Sequence, residues 1–193
     1  MSRMSFKRNA GSSKPNVVWL ACEGEVVEPR YLDGVKYYYR TRGVNLEIVP
    51  RDNSSPKAVL GAILKTKKSR DSNSDDLFWI IIDRDKWPNR TLSEVARQCR
   101  SSGIGMALSN PCFEFWQLLH YQDPQEEYIN CKPLKALVNK LRVEKDKNDY
   151  TNIDGIDQAI SRARNLDPKN GRWLNVNGSR MYLLIEDIKS LAN

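Results

Sequence analysis

The sequence predicts an α/β fold: a mainly parallel, four-stranded sheet flanked by helices, with a helical C-terminal extension. Two observations predict it. Short apolar runs alternate with amphipathic stretches of helical length, in the order β-α-β-α-β-α-β-α from Asn16 to His120. The most apolar run, Leu77-Phe-Trp-Ile-Ile-Ile-Asp83, is too short for a helix and rich in β-branched and aromatic residues, so it reads as a fully buried strand.

Each element has its own signal. Asn16-Val-Val-Trp-Leu-Ala-Cys22 reads as the first strand, and Glu23-Gly24-Glu25 as the turn after it. Glu28-Pro29 opens a helix through about Arg42, because proline suits the first turn. Leu32, Val35, Tyr38 and Tyr39 form its apolar face, and Gly43 ends it. Leu46-Glu-Ile-Val-Pro50 is a short second strand. Ser55-Pro56 is a cap followed by proline at the first helical position; that helix carries Val59, Leu60, Ile63 and Leu64, then the basic run Lys65, Lys67, Lys68 and Arg70. A polar loop from Asp71 to Asp76 leads into the third strand, Leu77 to Asp83. Thr91 and Glu94 fit a capping box for a helix ending at Ser102-Gly103. Ile104 to Leu108 is the fourth strand. Ser109-Asn110-Pro111 then caps a helix containing Phe113, Phe115, Trp116, Leu118 and Leu119. Past His120 the pattern turns helical and polar, with helices from Pro133 to about Lys145, Asp154 to Leu166 and Ser179 to Leu191. Lys145 to Asn152 reads as a mobile charged loop.

At 193 residues the chain is expected to form one domain over 16–193, with its core in 16–120 and the helical extension in 121–193. Residues 1–15 carry four basic side chains, no acid and no apolar core, which predicts a disordered basic arm and excludes a secretory signal. No apolar stretch approaches the length of a membrane span, so the expectation is a cytoplasmic protein. The formal charge is +7; without Arg3, Lys7, Arg8 and Lys14 it is 27 basic against 24 acidic, so the arm supplies much of the excess. Such a balance fits a nucleic-acid partner, and equally a solvated surface with a basic tail. The four cysteines include no C-x-x-C pair and are expected to be reduced and buried. His120 is the only histidine, which excludes a His-rich metal site.

The residues with chemistry lie at strand ends. Asp83 and Asp85 stand at i and i+2 where the third strand gives out, and Glu23 follows the first strand. Open α/β sheets bind ligands at the carboxyl ends of their strands, and hard oxygen ligands suit Mg²⁺ or Mn²⁺. Glu23, Asp83 and Asp85 are therefore the expected metal ligands and catalytic residues. Glu28, one turn into the first helix, is either a supporting carboxylate or a helix-dipole acid. Lys86, Arg84 and the Lys65 to Arg70 run are candidates for substrate phosphates. Ser109 and Asn110 either simply start a helix or place its amides where a phosphate binds. Trp87 stacks on a base or covers the core. His120 lies about 15 Å along its helix from the capping end, so packing or a partner contact is expected rather than metal ligation.

Three segments carry a resemblance. Cys22-Glu23-Gly24-Glu25-Val-Val-Glu28-Pro29-Arg30-Tyr31, Asp83-Arg-Asp85 and Leu108-Ser109-Asn110-Pro111-Cys-Phe113-Glu114-Phe-Trp116-Gln-Leu-Leu119-His120 resemble the E-G-E-x-T-E-P-x-Y, D-x-D and S-N-P-x-F-E-x-W-L-L-x-H signatures of the RloB family. Val27 stands where the family usually has threonine. That family is similar to the Toprim superfamily of metal-dependent topoisomerases, primases and nucleases. The resemblance implies a Toprim-like fold, with Glu23 as the Toprim glutamate and Asp83 and Asp85 as its D-x-D pair. It also implies an effector nuclease of bacterial phage defence working beside an AAA/ABC-type ATPase, with DNA or RNA as substrate and tRNA as one guess. The chain has no G-x-x-x-x-G-K-[ST] phosphate loop, so ATP chemistry is expected from the partner. The alternatives are a non-catalytic module that docks on such an ATPase, and nucleotidyl transfer at the same metal site. Homo-oligomerisation is left open.

Overall fold

The computed structural model describes residues 17–69, 76–84, 86–167 and 177–192. The expected basic arm and Asp85 lie outside the described residues, as do Arg70 and most of the polar loop after it.

The sheet grows outward from β1 (Val17–Cys22), the expected first strand. β2 (Asn45–Ile48) and β3 (Leu77–Asp83) pair with it on either side, and β4 (Gly105–Asn110) pairs with β3, all in parallel. Crossover helices make this parallel pairing possible: α1 (Val27–Arg40), α2 (Pro56–Ser69) and α3 (Asn89–Ser101). A fifth strand, β5 (Gly178–Ser179), adds to β4 in antiparallel sense, giving the order β2-β1-β3-β4-β5. The four parallel strands match the expectation; β5 is additional, and two residues are too few to show in a hydrophobic pattern.

Alternation along the strands splits the core in two. Val18, Leu20, Cys22 and Ile81 face α1, α4 (Phe113–Leu119) and the C-terminal helices α5 (Cys131–Asp146), α6 (Ile156–Leu166) and α7 (Met181–Leu191). Trp19, Ala21, Ile80 and Ile82 face α2 and α3 alone. The C-terminal helices thus complete the core on one face of the sheet. Trp116, Phe113 and Phe115 are fully buried there, each contributing roughly 2–3 kcal/mol by removal from water. Among the described residues no helix is long and apolar enough to cross a membrane.

Four local expectations are corrected. Ser109 and Asn110 do not cap a helix: β4 runs through them, pairing Ser109 with Asp83 and Ser179, and Asn110 with Gly178. The following Asn110–Pro111 bond is cis, and α4 starts only at Phe113, with Cys112 in the cap position. Thr91 is not a cap either, because α3 already begins at Asn89, directly after Pro88. Cys112 and Cys131 are joined in a disulfide, their Cα atoms 6.0 Å apart, because α4 and α5 start side by side; only Cys22 and Cys99 are free. Finally, the charged segment after α5 is tied down. Asp149 accepts from the amides of Thr151 and Asn152, and Thr151 donates to the Tyr31 carbonyl. Gly34 permits that approach, since a Cβ there would collide with the Thr151 side chain.

Candidate functional site

Parallel pairing brings the carboxyl ends of β1 and β3 together. The Glu23 amide donates to the Ile81 carbonyl at 3.0 Å, extending the ladder by one residue past β1. From that position the Glu23 side chain, 5 % exposed, reaches across to β3. Its Oε2 accepts from the Asp83 amide at 3.1 Å, and its Oε1 accepts from Trp87 Nε1 at 2.8 Å. The Lys86 ammonium stands 3.1 Å from the same Oε1. Trp87 is partly buried against the core under α2 and α3, and its indole holds Glu23.

Glu28 enters from α1. Its Oε1 accepts from the Gly24 amide at 2.8 Å, and a Cβ on Gly24 would overlap that carboxyl group. The bare glycine in Glu23-Gly24-Glu25 therefore lets the Glu28 carboxyl lie against the backbone. Burial pushes the Glu28 carboxyl above its usual range, and the charges of Glu114 and Glu23 push it further; amide hydrogen bonds oppose this. Behind the turn, Arg51 donates to the carbonyls of Cys22 and Glu23, which fixes the loop from which Glu23 projects.

These groups line one cleft of about 470 Å³, whose walls include Glu23, Glu25, Glu28, Asp83, Glu114 and Lys86. Glu114, in the first turn of α4, is buried and faces Lys135 of α5 at 3.6 Å. In the sequence it stands out only as the glutamate of the S-N-P-x-F-E signature. The signal that could have found it is its burial within the wholly apolar run around it, where a solvated acid has no place.

Of the expected site residues, Glu23, Asp83, Glu28 and Lys86 share this cleft. Ser109 and Asn110 do not line it: Ser109 Oγ is 2.8 Å from Ser179 Oγ and serves the β4–β5 pair. The Lys67 ammonium caps α3 through the carbonyls of Ser102 and Gly103. His120 is buried in packing, as expected: its Nδ1 is 3.0 Å from the Asn152 carbonyl and its Nε2 3.3 Å from the Tyr31 hydroxyl. A carbonyl can only accept, so Nδ1 carries the proton and Nε2 accepts from tyrosine. Burial lowers the His120 pKa to about 4.

The donor set suits a hard divalent cation. All its candidate ligands are carboxylate oxygens, and a cationic ammonium already stands on Glu23. Among the described residues, no three carboxylate, histidine or cysteine groups stand close enough to hold an ion by themselves. The expected third ligand, Asp85, is outside those residues.

The family model for RloB-like proteins matches residues 18–188, nearly the whole chain. No curated protein and no solved structure matches it.

Proposed function

We propose that this chain, which belongs to the RloB-like protein family, is a divalent-metal-dependent nuclease. In this reading it is the effector of a bacterial anti-phage system, cutting DNA or RNA under the control of a partner ATPase. One observation carries the proposal: the Glu23 carboxylate accepts from the Asp83 backbone amide at the carboxyl ends of two neighbouring parallel strands, and both side chains line a cleft open to solvent. Glu23, Asp83 and Asp85 would hold Mg²⁺ or Mn²⁺. The bound ion would lower the pKa of a water and offset charge on the reacting phosphate.

The protein's own groups supply positioning. Glu23 is held by the Asp83 amide and the Trp87 indole, so its carboxylate is fixed before substrate arrives, as a group that orients or deprotonates a nucleophile must be. The Lys86 side chain is 56 % exposed, which leaves its ammonium able to turn from Glu23 to a substrate phosphate. Glu28, raised by burial, can retain a proton that a fully solvated acid would release. The ATPase partner, the defence role and tRNA as a substrate rest on the family resemblance, together with the lack of a phosphate loop in the sequence.

A second reading, a non-catalytic module docked on the ATPase, draws on the same contacts: Lys86, Trp87 and the Asp83 amide already satisfy Glu23 without an ion. One experiment separates the two. The chain is mixed with its partner ATPase and assayed on DNA and on tRNA with Mg²⁺ or Mn²⁺, and Mn²⁺ binding is measured by calorimetry. Metal-dependent cleavage is expected. Neither cleavage nor Mn²⁺ binding, in a mixture that forms the complex, would leave the docking module as the reading.

A further inference from the structure

The carboxylate cleft continues into a second pocket of opposite character. The two share Val26, Val27, Glu114 and Lys135 in their walls, so they form one groove between α1, α4 and α5. The second pocket, about 310 Å³, is lined by Arg30, Arg142 and Tyr150 as well as apolar Val138. Both guanidinium groups lie against the Tyr150 ring, with Arg30 Cζ 5.0 Å and Arg142 Cζ 4.2 Å from its centroid. Arg30 also donates to the Tyr150 hydroxyl at 3.1 Å, and Gln117 holds the Tyr150 carbonyl at 3.3 Å.

Lys135 pairs with Glu114, but the two guanidinium groups gather positive charge without a carboxylate partner. Among the described residues, the arginines paired with carboxylates are Arg51, Arg90, Arg162, Arg164 and Arg180; Arg30 and Arg142 are not. Arg142 gives one nitrogen to Asn139 at 2.7 Å, but its buried Nη1 meets no acceptor in the protein. A buried donor without an acceptor is costly and rare in native proteins. Two guanidinium groups held against one ring repel each other unless an anion shares them. Tyr150 is thus a positioning residue that keeps a preformed fork in place, and arginine forks match phosphate oxygens in geometry and charge.

We propose that Arg30, Arg142 and Lys135 form a subsite for the backbone phosphates of a single-stranded polynucleotide lying along this groove. The proposal rests on the nuclease reading of the adjoining cleft and specifies its substrate. The pocket has room for one nucleotide, and its valines offer an apolar floor to a base or sugar, which a strand with unpaired bases can reach. The sign change along the groove fits a polyanion better than an acidic protein segment. Polynucleotide phosphates bring condensed cations to the carboxylate end, whereas peptide carboxylates would meet Glu23, Glu28 and Asp83 with none.

The test is equilibrium binding of the full chain to fluorescein-labelled single-stranded oligo-U and oligo-dT, followed by anisotropy across a salt series in EDTA. Arg30→Ala/Arg142→Ala is compared with wild type and with Lys57→Ala, which removes one charge from the opposite face of the sheet. The double variant is expected to bind at least about tenfold more weakly, with the log–log salt slope reduced by about 1.4, or about 0.7 per lost phosphate contact. Arg30→Gln/Arg142→Gln retains the side-chain stems, so a similar loss in a variant that melts like wild type excludes misfolding. Four results would overturn the subsite: no oligonucleotide binding by wild type, wild-type affinity and slope in both double variants, an equal loss in Lys57→Ala, or tighter binding of a poly-glutamate peptide through the same arginines. Because the binding buffer holds no free metal, the two proposals fail separately. A chain that never cuts yet binds through these arginines keeps the subsite and loses the nuclease. A double variant that cuts with unchanged KM does the reverse.

Discussion

Helix α1 sends side chains into two buried polar clusters built on opposite terms. Tyr31 joins His120, Asn152 and Thr151, where donors meet acceptors: tyrosine hydroxyl to imidazole, imidazole to the Asn152 carbonyl, the Asn152 amide to the His120 carbonyl, and the Thr151 hydroxyl to the Tyr31 carbonyl. Glu28, three positions earlier, joins Glu23 and Glu114; burial, and after it the charges of those two, raises its pKa. In the first cluster these donors and acceptors find their partners within the protein. In the second, carboxylates outnumber their cationic partners Lys86 and Lys135, and the cluster opens on a cleft. A cluster that satisfies itself stabilises a fold and has little left to offer a ligand. One whose charges remain unbalanced contributes less to stability and retains the capacity to bind a cation.

Asp83→Asn should break the comparison most visibly. Cleavage by the chain with its ATPase should fall on the order of 10²–10³-fold. The Tm should stay the same or rise, because one of several like charges is removed while the backbone contact to Glu23 remains. Full activity in a folded variant would end the catalytic assignment.

His120→Ala should act in the other cluster alone. It removes two hydrogen bonds and the edge contacts with Tyr31 and Trp116, and should cost about 3 kcal/mol in denaturant unfolding while leaving Mn²⁺ affinity unchanged. The pH dependence has a definite sign. The folded His120 pKa is about 4, against 6.5 for the ordinary side chain, so the unfolded chain takes up the proton first. The contribution of neutral His120 is fully present above pH 6.5 and is lost as pH falls from there to about 4. His120→Ala should flatten that part of the stability profile. An unchanged profile would mean that the imidazole is not buried as described.

The smallest effect is expected from Glu28→Gln. Glutamine can still accept from the Gly24 amide but carries no charge. A carboxyl with a raised folded pKa binds its proton more tightly when folded, so stability declines as pH rises from the unfolded value through the folded one. In EDTA the variant should therefore melt slightly higher than wild type at pH 8, with the gap closing towards pH 4. A lower Tm at pH 8 would show that the Glu28 charge is already balanced.

The legibility of the molecule followed the range of its interactions. The four parallel strands were readable because burial on both faces leaves continuous apolar runs, and Glu23 and Asp83 were readable as polar residues ending such runs. Glu114 was not, since its place in the cleft depends on how α4 packs beside α1 and α5, which no local spacing encodes. Arg30, Arg142 and Tyr150 come together across 120 residues for the same reason. Ser109 and Asn110 misled because Ser-Asn-Pro is also good helix-start chemistry. Pairing with Ser179 and Gly178, 70 residues later in the case of Ser109, makes them strand instead. Asn152, left-handed at φ 44°, was hidden in a charged stretch, yet it orders that stretch around His120.

The two-residue β5 also determines how the sheet meets other chains. It lies along β4, on the side where Ser109 and Asn110 would otherwise present unpaired backbone groups. It covers only that end of β4: among the described residues, positions 105–108 have no strand partner on this side. The opposite margin, β2, is itself only four residues long. Growth of the sheet by edge-to-edge pairing is thus limited at β2 by the shortness of the strand, and at β4 to the stretch that β5 leaves uncovered.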